Sequence, residues 1–445
     1  MITVLCHGCF DLLHLGHIRY LKEAKGLGDR LVVSVTSDRF VNKGPGRPQF
    51  TAAQRAECLL ALGFVDGVRI SDSANAVPTI LDLKPDVYVK GPDYSARDSD
   101  PNLQAEIAAV RSYGGRVHFT SGEVWSSSAL IRDNLSDYPT ETLDYLADCR
   151  ARWYAKAVPE ALDSIRDLRC FVAGETIIDE YVYCSGLPGK PSKEPIIAVA
   201  RERTETHAGG VEAAAAHLRS FVGTVDVCSA FMLTKTRYID RDRGYKLFEV
   251  YGDRGDLLIG PGMDESVLYD ATIVADFGHG MIGSLQRSLL MEYSKFLAVN
   301  AQTNAGNHGF NLITKYGEAD YVCIDAPEAR LAVQRQNEPL EDVAHDLSTR
   351  MAFKHLIVTD GSRGCVTYQS GACKRIPAIS TKVVDTMGAG DAFLVVTSAL
   401  MCKGVDIELT GFIGNLVGAI KVGRVGHREP VTRDDVLRFA KSLLK

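Results

Sequence analysis

The sequence HGCFDLLHLGH at residues 7–17 follows the short apolar run Ile2–Leu5 and precedes an amphipathic segment. A strand that passes through a glycine-containing turn into a helix is a typical start of a parallel α/β fold. His14 and His17 are three residues apart, so they share one face at the start of the predicted helix. This stretch therefore predicts the fold of the first domain and a candidate site within it.

The start of this predicted helix is suited to binding phosphate. Its unpaired N–H groups and its dipole attract anions, and Gly16 leaves room for a nucleotide to approach closely. Two imidazoles there can donate hydrogen bonds to a triphosphate and to the charge that develops on its α-phosphorus during in-line attack. The residues thus favour nucleotidyl transfer. Two alternatives stay open: the histidines bind zinc, or they are ordinary residues at a helix start. Zinc binding has little support, because Cys6 and Cys9 have no second thiol pair at ligand spacing.

Further β-type runs alternate with amphipathic stretches in the first 135 residues, at Leu31–Val35, Gly67–Ile70, Val87–Lys90 and Arg116–Phe119. This alternation favours a parallel sheet covered by helices. The segment from about Leu135 to Asp167 contains no glycine and has a helical, linker-like composition. We therefore predict a first domain at residues 1–140, a helical linker at 141–168 and a second domain at 169–445.

The second domain begins with a new α/β series at Cys170–Gly174 that continues to the end of the sequence. The β-rich segment Tyr181–Thr206, punctuated by glycine and proline, does not fit a βαβ pattern, so we expect a small sheet or lid there. Further along, DTMGAGD at residues 385–391 makes a flexible turn that leads into an apolar helix. Asp391 at that helix start can accept a proton from a sugar hydroxyl that attacks a γ-phosphorus, while backbone N–H groups hold the phosphoryl oxygens. The alternative is a loop with an N-capping aspartate.

Composition excludes several protein classes. The chain has 445 residues, of which 46% are apolar and 24% charged, so a largely disordered, collagenous or coiled-coil protein is excluded. Fifty Lys and Arg against 56 Asp and Glu give a net charge of −6 without a long basic block, so we expect no nucleic-acid partner. Eleven cysteines are too sparse for a disulfide scaffold, and no apolar run reaches the roughly 18 residues of a membrane span. We expect a cytoplasmic protein without a membrane partner.

The first domain resembles the cytidylyltransferase-like superfamily. The resemblance lies in the string through His17 and in the stretches at residues 27–31, 43–48 and 90–94. Within it, the similarity is greatest to the nucleotidyltransferase half of the bifunctional heptose-phosphate kinase/heptose-1-phosphate adenylyltransferases, over about residues 1–135. The resemblance implies that His14, His17 and Lys43 are catalytic. It implies a nucleotide-binding set of Gly8, Phe10, Asp11, Gly16, Arg55, Lys90, Ser126, Ser127 and Ser128.

The longer string around Asp391 resembles the signature of the ribokinase, or PfkB, family of carbohydrate kinases, over about residues 169–440. The resemblance implies that Asp391 is the catalytic base and that the Tyr181–Thr206 segment is a lid that often mediates dimerisation. It implies an ATP site and anion hole at Gly361, Gly364, Thr386, Gly388, Ala389 and Gly390, a sugar site at Glu175, Asp179, Gly209 and Gly210, and a Mg²⁺-associated carboxylate at Glu328. Together the two resemblances imply an α/β chain with an N-terminal Rossmann-like nucleotidyltransferase domain and a C-terminal ribokinase-like domain with a small β lid.

The departures from the family pattern lie mainly on the sugar side. Gly174-Glu175 stands where the heptose kinases have Gly-Asp, and residues 209–213 lack their asparagine. Because a lost amide leaves substrate hydroxyls unpaired, the acceptor sugar can differ from the usual one. The amide-rich stretch 300–307 either rebuilds a sugar site or is a polar turn.

The sequence predicts a bifunctional enzyme, with the order of its two domains reversed relative to the family. It phosphorylates a sugar or sugar phosphate, with heptose 7-phosphate as the expected substrate, using ATP, and then joins the sugar 1-phosphate to a nucleotide from ATP or CTP. Mg²⁺ is implied for both steps, since two polyphosphates must be neutralised. We expect a homodimer or higher homo-oligomer. The alternative is a cytidylyltransferase that makes a CDP-sugar or CDP-polyol, whose kinase-like half is a sugar-binding or dimerisation module.

Overall fold

The computed structural model describes residues 1–41, 48–92, 100–121, 138–153, 156–186, 198–228, 232–252, 269–307, 309–380, 383–424, 426 and 429–444. The chain forms two compact units, Met1–Asp137 and Tyr138–Lys445. Among the described residues, no helix combines the length and hydrophobicity that crossing a membrane requires. All eleven cysteines are free thiols.

The first unit is built around a parallel five-stranded sheet with the strand order β3-β2-β1-β4-β5. Its strands are β1 (Thr3–Gly8), β2 (Arg30–Thr36), β3 (Gly67–Ser71), β4 (Val87–Lys90) and β5 (Arg116–Phe119). Its described helices are α1 (Leu15–Lys25), α2 (Ala52–Leu60), α3 (Val77–Leu83) and α4 (Pro101–Arg111). The predicted parallel α/β sheet is confirmed, and all five strands lie where the alternating pattern placed them.

Strand β1 lies at the centre of this sheet because both of its faces are apolar. Val4 and Cys6 pack with Leu21 in one hydrophobic cluster, while Leu5 packs with Ile80 in a second. A strand covered on both faces has a nearly continuous apolar sequence instead of an alternating one.

The strand order places a topological switch point between β1 and β4. The chain leaves β1 toward β2 on one side, and β4 returns to pair with the other side of β1. In open α/β sheets, ligands bind in the crevice beyond the carboxyl ends of strands at such a point. Residues 7–17, which follow β1, lie at that edge.

The second unit contains an eight-stranded sheet with the order β17-β16-β15-β14-β13-β12-β6-β9 and a four-stranded sheet with the order β11-β10-β7-β8. The large sheet is formed by β6 (Arg169–Gly174), β9 (Thr224–Cys228), β12 (Ala271–Asp276), β13 (Leu297–Ala301), β14 (Glu318–Asp325), β15 (Ala352–Thr359), β16 (Cys365–Gln369) and β17 (Ala372–Ile376). The small sheet is formed by β7 (Thr176–Gly186), β8 (Val199–Gly210), β10 (Met232–Asp240) and β11 (Lys246–Tyr251). Strands β16 and β17 at one edge of the large sheet run antiparallel to their neighbours, whereas the remaining pairs are parallel.

Helices cover both faces of the large sheet and create two extensive hydrophobic clusters. They are α5 (Thr140–Trp153), α6 (Ala157–Ser164), α7 (Val211–Leu218), α8 (Ser284–Glu292), α9 (Ala326–Val333), α10 (Leu340–Arg350), α11 (Ala389–Cys402), α12 (Ile407–Val422) and α13 (Arg433–Leu444). Helices α11 and α12 are buried along most of their length, which explains their nearly uninterrupted apolar sequences.

The segment predicted as a linker, residues 141–168, carries the helices α5 and α6 in its described part but belongs to the packed second unit. Leu146 and Cys149 of α5 and Leu162 of α6 are fully buried in the same cluster as α11 and α12. The amphipathic pattern of this segment therefore reflects a helix face that packs on the domain core. The structural division lies between Asp137 and Tyr138.

The predicted lid segment contributes β7 and β8 to the small sheet, where they pair antiparallel. Strands β10 and β11 complete this sheet, and the sequence analysis assigned no strands there. In the registers of these pairs, Asp179 of β7 faces His207 of β8 and Lys235 of β10.

One prediction concerns the contact between β6 and β12. A Cβ added at Gly174 would overlap the Ala275 carbonyl oxygen of the neighbouring strand, so Gly174→Ala must push two core strands apart. We expect a loss of about 1–3 kcal/mol in the free energy of unfolding of the second unit, measured by urea denaturation. The control is Gly418→Ala in α12, where nothing lies within 4 Å of the new Cβ. That variant should gain about 0.5–1 kcal/mol from helix propensity. Equal effects of the two substitutions would contradict the packing argument.

Candidate functional sites

The two histidines of the first unit lie together at the start of α1, at the switch point of the sheet. His14 is the N-cap residue in an extended conformation, and His17 lies in the first turn of the helix. Their rings stack with centroids 3.9 Å apart and an interplanar angle of 26°, and the Phe10 ring lies 5.2 Å from that of His17. Two imidazoles are thus held in one orientation beside a helix N-terminus, the geometry that donation to a polyphosphate requires.

The turn between β1 and α1 has a shape that depends on Gly8 and Phe10. Phe10 is in the left-handed region, with φ of 51°, and its ring lies against Gly8. A Cβ at Gly8 would stand 3.1 Å from Phe10 Cε2, so a larger residue would displace the ring that contacts His17. Asp11 is buried, and its Oδ1 accepts hydrogen bonds from the backbone N–H groups of Gln49 and Phe50, at 2.8 and 3.1 Å. The shape of the turn therefore depends on Gly8, Phe10 and Asp11.

Arg55 lies beneath this turn and is only 1% exposed. Its Nε donates to the Phe50 carbonyl, Nη1 donates to the Cys9 carbonyl, and Nη2 donates to the Thr36 carbonyl and to Asp38 Oδ1. These bonds use Arg55 inside the unit, and its phosphate-binding role stays a prediction. The observed bonds hold the carbonyl just before Phe10 in place.

Lys90 at the end of β4 is also buried, and its ammonium lies 2.7 Å from Glu106 Oε2 of α4. Glu106 in turn accepts from the Tyr88 hydroxyl and from the backbone N–H of Ala76. Buried charges of opposite sign are retained together because an isolated one would be costly. The phosphate contact expected of Lys90 stays a prediction, and the structure shows an internal pair.

His7 is a neighbour of this site to which the sequence analysis gave no role. Its Nδ1 lies 3.1 Å from Ser34 Oγ and its Nε2 3.4 Å from Thr36 Oγ1. Burial, with a further contribution from the Lys90 charge, lowers the pKa of His7 to about 4, so the ring is neutral at pH 7. The signal in the sequence was its place in the same HGCFDLLHLGH string. Lys43, Ser126, Ser127 and Ser128 lie outside the described residues.

In the second unit, the turn at residues 385–388 leads into α11 as the sequence predicted. Gly388 is the N-cap residue in the left-handed region, with φ of 71°, and Asp391 lies in the first turn of the helix. Asp391 Oδ1 accepts a hydrogen bond of 2.8 Å from Gln302 Nε2, just beyond the carboxyl end of β13. A carboxylate is thereby oriented at a helix N-terminus, beside N–H groups that α11 itself does not use.

The same turn is attached to the end of α12 by a half-buried carboxylate and a buried ammonium group. Asp385 accepts from the backbone N–H groups of Met387 and Gly426, at 3.1 and 2.8 Å. Lys421 donates to the carbonyl oxygens of the same two residues, at 2.6 and 2.8 Å. Sequence reasoning missed Lys421, although a lysine within the apolar run of α12 was a visible signal.

The residues expected on the sugar side are used largely for internal contacts. Glu175 is fully buried, and its carboxylate accepts from the backbone N–H groups of Phe277, His279 and Met281. Burial is the main reason that its pKa is raised, and the nearby Asp276 adds to the effect. Glu175 therefore holds the loop after β12, and its sugar contact stays a prediction.

Asp179 pairs with the buried Arg237 of β10, which also bonds to Glu249 at 3.1 Å. The two glycines at the end of β8 are needed for close packing. A Cβ at Gly209 would overlap the Asp179 carboxylate. Gly210 has φ of 60°, and a Cβ there would overlap the Glu175 carbonyl oxygen. Their roles toward a sugar stay predictions.

The amide-rich stretch 300–307 is organised mainly as a polar turn. Asn304 Nδ2 donates to the Phe277 carbonyl, Asn307 Nδ2 donates to the Gln302 carbonyl, and both Oδ1 atoms accept backbone N–H groups within the stretch. Of the two interpretations left open by the sequence, these bonds favour the turn. Gln302 is the exception, since its side chain reaches Asp391.

Glu328 forms a capping box with Asp325 at the start of α9, and its Oε1 also accepts from the backbone N–H of Thr303 at 2.8 Å. Burial raises the pKa of Glu328 to about 8, so its carboxyl is mostly protonated at neutral pH. Within the described part of the chain, no group of three or more His, Cys, Asp or Glu side chains is arranged to hold a metal ion. The metal role of Glu328 stays a prediction.

The turn at residues 360–364, expected beside ATP, contains two glycines with positive φ, 54° at Gly361 and 89° at Gly364. A Cβ at Gly364 would overlap the Ile376 carbonyl, so this turn packs tightly against the end of β17. A cavity of ≈610 Å³ opens beside it, lined among others by Asp360, Ser362 and Arg375. The cavity is large enough for part of a nucleotide, in keeping with the usual size of ligand pockets.

Comparison with known proteins divides the chain in the same way. Residues 5–134 match the cytidylyltransferase-like family model, and residues 312–434 match the model of the pfkB family of carbohydrate kinases. The first region is also 43% identical over 117 residues to the bifunctional protein HldE of Syntrophotalea carbinolica and 45% identical over 116 residues to that of Pseudomonas fluorescens. Each match covers 26% of this chain and 23% of the relative, so the chain matches about a quarter of the length of these relatives.

A solved structure of phosphofructokinase-2 from Escherichia coli, in complex with potassium, is similar to the second unit in fold. The match has a TM-score of 0.50 at 13% identity and covers 62% of this chain and 100% of that chain. Residues 5–134 are therefore similar to the cytidylyltransferase-like family and residues 312–434 to the pfkB family of carbohydrate kinases, and the second unit shares its fold with that phosphofructokinase-2. Both resemblances and the predicted fold class are confirmed.

A second prediction concerns Arg55. Replacing it with Ala leaves buried carbonyl oxygens of Cys9 and Thr36 without their donor, and we expect a loss of about 3 kcal/mol or more in the stability of the first unit. The control is Arg39→Ala, because the Arg39–Asp72 pair is exposed and should contribute about 1 kcal/mol at most. Thermal unfolding of the two variants checks this. A small loss for Arg55→Ala would mean that its internal bonds are dispensable, and would favour a role in binding phosphate.

Proposed function

We propose that the chain is a bifunctional enzyme of nucleotide-sugar synthesis. The second unit phosphorylates a sugar phosphate, heptose 7-phosphate being the first candidate, at its anomeric hydroxyl with ATP. The first unit then transfers a nucleotidyl group from ATP or CTP to the sugar 1-phosphate. The observation that carries this proposal is that each unit presents a helix N-terminus beyond the carboxyl ends of parallel strands. Two imidazoles lie at this helix start in the first unit and a carboxylate lies at it in the second.

In the first unit, stacked His14 and His17 are oriented to donate hydrogen bonds to the α-phosphate of the nucleotide, which enters as its Mg²⁺ complex. An oxygen of the sugar 1-phosphate attacks the α-phosphorus. As this P–O bond forms, the bond from the α-phosphorus to the α–β bridging oxygen breaks and pyrophosphate leaves. The N-terminal N–H groups of α1 and the two imidazoles stabilise the charge that builds up on the α-phosphate oxygens.

In the second unit, Asp391 is placed to take the proton of the anomeric hydroxyl as that oxygen attacks the γ-phosphorus of ATP. The new C1–O–P linkage forms while the bond from the γ-phosphorus to the β–γ bridging oxygen breaks, and ADP leaves. The Gln302 amide orients the Asp391 carboxylate, and the N–H groups of the turn at Gly388–Gly390 hold the transferring phosphoryl oxygens. This assignment makes the phosphate installed by one unit the nucleophile used by the other.

The substrate is inferred from the HldE relatives and from the heptose-family resemblance, whereas the base of the nucleotide stays open between adenine and cytosine. Mg²⁺ is expected with both nucleotides because their polyphosphates must be neutralised, and the lid resemblance underlies the expectation of a homodimer or higher homo-oligomer. A second candidate is favoured by one observation, since Glu175 and Asp179 are engaged in internal contacts. In that case the first unit is a cytidylyltransferase that makes a CDP-sugar or CDP-polyol, and the second unit is a sugar-binding or dimerisation module.

The proposal is tested by ³¹P NMR of the purified full chain with Mg²⁺ and heptose 7-phosphate, with ATP alone and with ATP plus CTP. A new anomeric phosphate signal followed by a sugar nucleotide signal is the expected result, and dependence of the second signal on CTP identifies the base. If no anomeric phosphate forms while a supplied sugar 1-phosphate still yields pyrophosphate, the second candidate is favoured.

Two substitutions separate the sites in the same assay. Asp391→Asn should slow sugar phosphorylation by about 10²–10⁴-fold while leaving nucleotidyl transfer to a supplied sugar 1-phosphate unchanged, because only the base is lost. His17→Ala should slow pyrophosphate release by about 10²–10³-fold without affecting the kinase. The controls are Asp434→Asn and His345→Ala, at exposed positions on α13 and α10. Wild-type kinase activity in Asp391→Asn, or wild-type pyrophosphate release in His17→Ala, would show that the corresponding role is wrong.

A further inference from the structure

We propose that Lys421 acts as a fixed internal cation that holds the turn before α11 in its phosphoryl-binding shape. Lys421 is a positioning residue in this proposal, which rests on the kinase function proposed above. It would act on catalysis through the backbone of Met387 and Gly388, without contact to the substrate.

The first observation is the burial of a complete ammonium group. Lys421 is 0% exposed and lies near the end of α12, among the buried apolar residues of that helix. Moving a charged group out of water is costly, and a lysine of this kind is kept only where the protein supplies oxygen acceptors. Burial accordingly lowers the pKa of Lys421, while the negative charges of Asp385 and Asp391 oppose the change.

The second observation is that two separate chain segments share one pair of charges. Met387 donates its N–H to Asp385 and offers its carbonyl oxygen to Lys421. Gly426 does the same with its own N–H and carbonyl oxygen. One cation and one anion thus bind both polar groups of both residues, and neither segment can shift without breaking charge-assisted bonds.

The third observation is the position of this clamp in the chain. Met387 directly precedes Gly388, the left-handed N-cap residue of α11, and its Sδ lies 2.7 Å from the hydroxyl of Tyr181 in β7. The backbone N–H groups of Val384 and Asp385 are held by the Val422 carbonyl at the other end of the turn. The direction of the first N–H groups of α11 therefore depends on where the Lys421 clamp places Met387.

The chemistry of the clamp suggests a direct test. Two carbonyl oxygens that converge on an ammonium group, with the negative charge of Asp385 nearby, can also hold a small external ammonium ion, provided that the lysine side chain is shortened. Lys421→Ala removes the charge and leaves space, whereas Lys421→Met removes the charge but fills much of the same volume. The control is Lys403→Ala, at an exposed lysine that follows α11.

We expect both Lys421 variants to lose about 100-fold in kcat for sugar phosphorylation, with nucleotidyl transfer unchanged, because a displacement of about 1 Å in catalytic groups has this effect. Methylammonium or ammonium chloride should restore Lys421→Ala but not Lys421→Met. Tetramethylammonium chloride at equal ionic strength should restore neither. A wild-type kcat in folded Lys421→Met, or a folded Lys421→Ala that no ammonium ion restores, would overturn the proposal.

Hydrogen exchange provides a readout that does not depend on activity. Backbone N–H groups at residues 385–392 should exchange faster in both variants, and methylammonium should slow this exchange in Lys421→Ala alone. Unchanged exchange would overturn the clamp even if the kinase is active. If the wild-type chain phosphorylates no sugar tested, the kinase proposal fails, whereas exchange in the variants still decides whether Lys421 shapes the turn.

Discussion

Backbone N–H groups at a helix start can bind phosphate only while the turn before the helix keeps its shape, because those groups have no partners within the helix to orient them. Both candidate sites of this chain depend on this constraint. The turn before α1 contains a phenylalanine with positive φ, and the turn before α11 contains a glycine with positive φ. Neither conformation is held by the helix that follows, so each has to be held from outside.

In both units, buried charges hold these turns. Arg55 binds the Cys9 carbonyl in the first unit, and Lys421 binds the Met387 carbonyl in the second. Glu175 plays a comparable part for the loop after β12, where it accepts three backbone N–H groups. A charge that is buried for this purpose needs a full set of acceptors or donors, since an unpaired one would destabilise the fold by several kcal/mol.

Because a buried charge can hold a turn, a charged residue in a family motif does not by itself indicate a contact with a ligand. Arg55, Lys90, Glu175 and Asp179 match family positions, yet each is nearly or fully buried against an internal partner. Shaping a turn and binding a ligand are compatible roles, because the turn is what the ligand contacts. In the proposed function, the groups that face substrate therefore come from the helix starts, where His14, His17 and Asp391 lie.

By itself, the sequence determined the two α/β units, the strands of the first sheet, and the helix starts that carry His14, His17 and Asp391, because periodicity, glycine turns and motif order are local properties of the chain. It did not reveal that helices α5 and α6 pack into the second core, that β10 and β11 complete the small sheet, or that Gln302 and Lys421 support the turn of Asp391. Those facts were decided by tertiary structure. The partners are separated by 89 residues in Gln302–Asp391 and by 34 in Lys421–Met387, and only the packing of strands and helices brings such distant groups within hydrogen-bond distance.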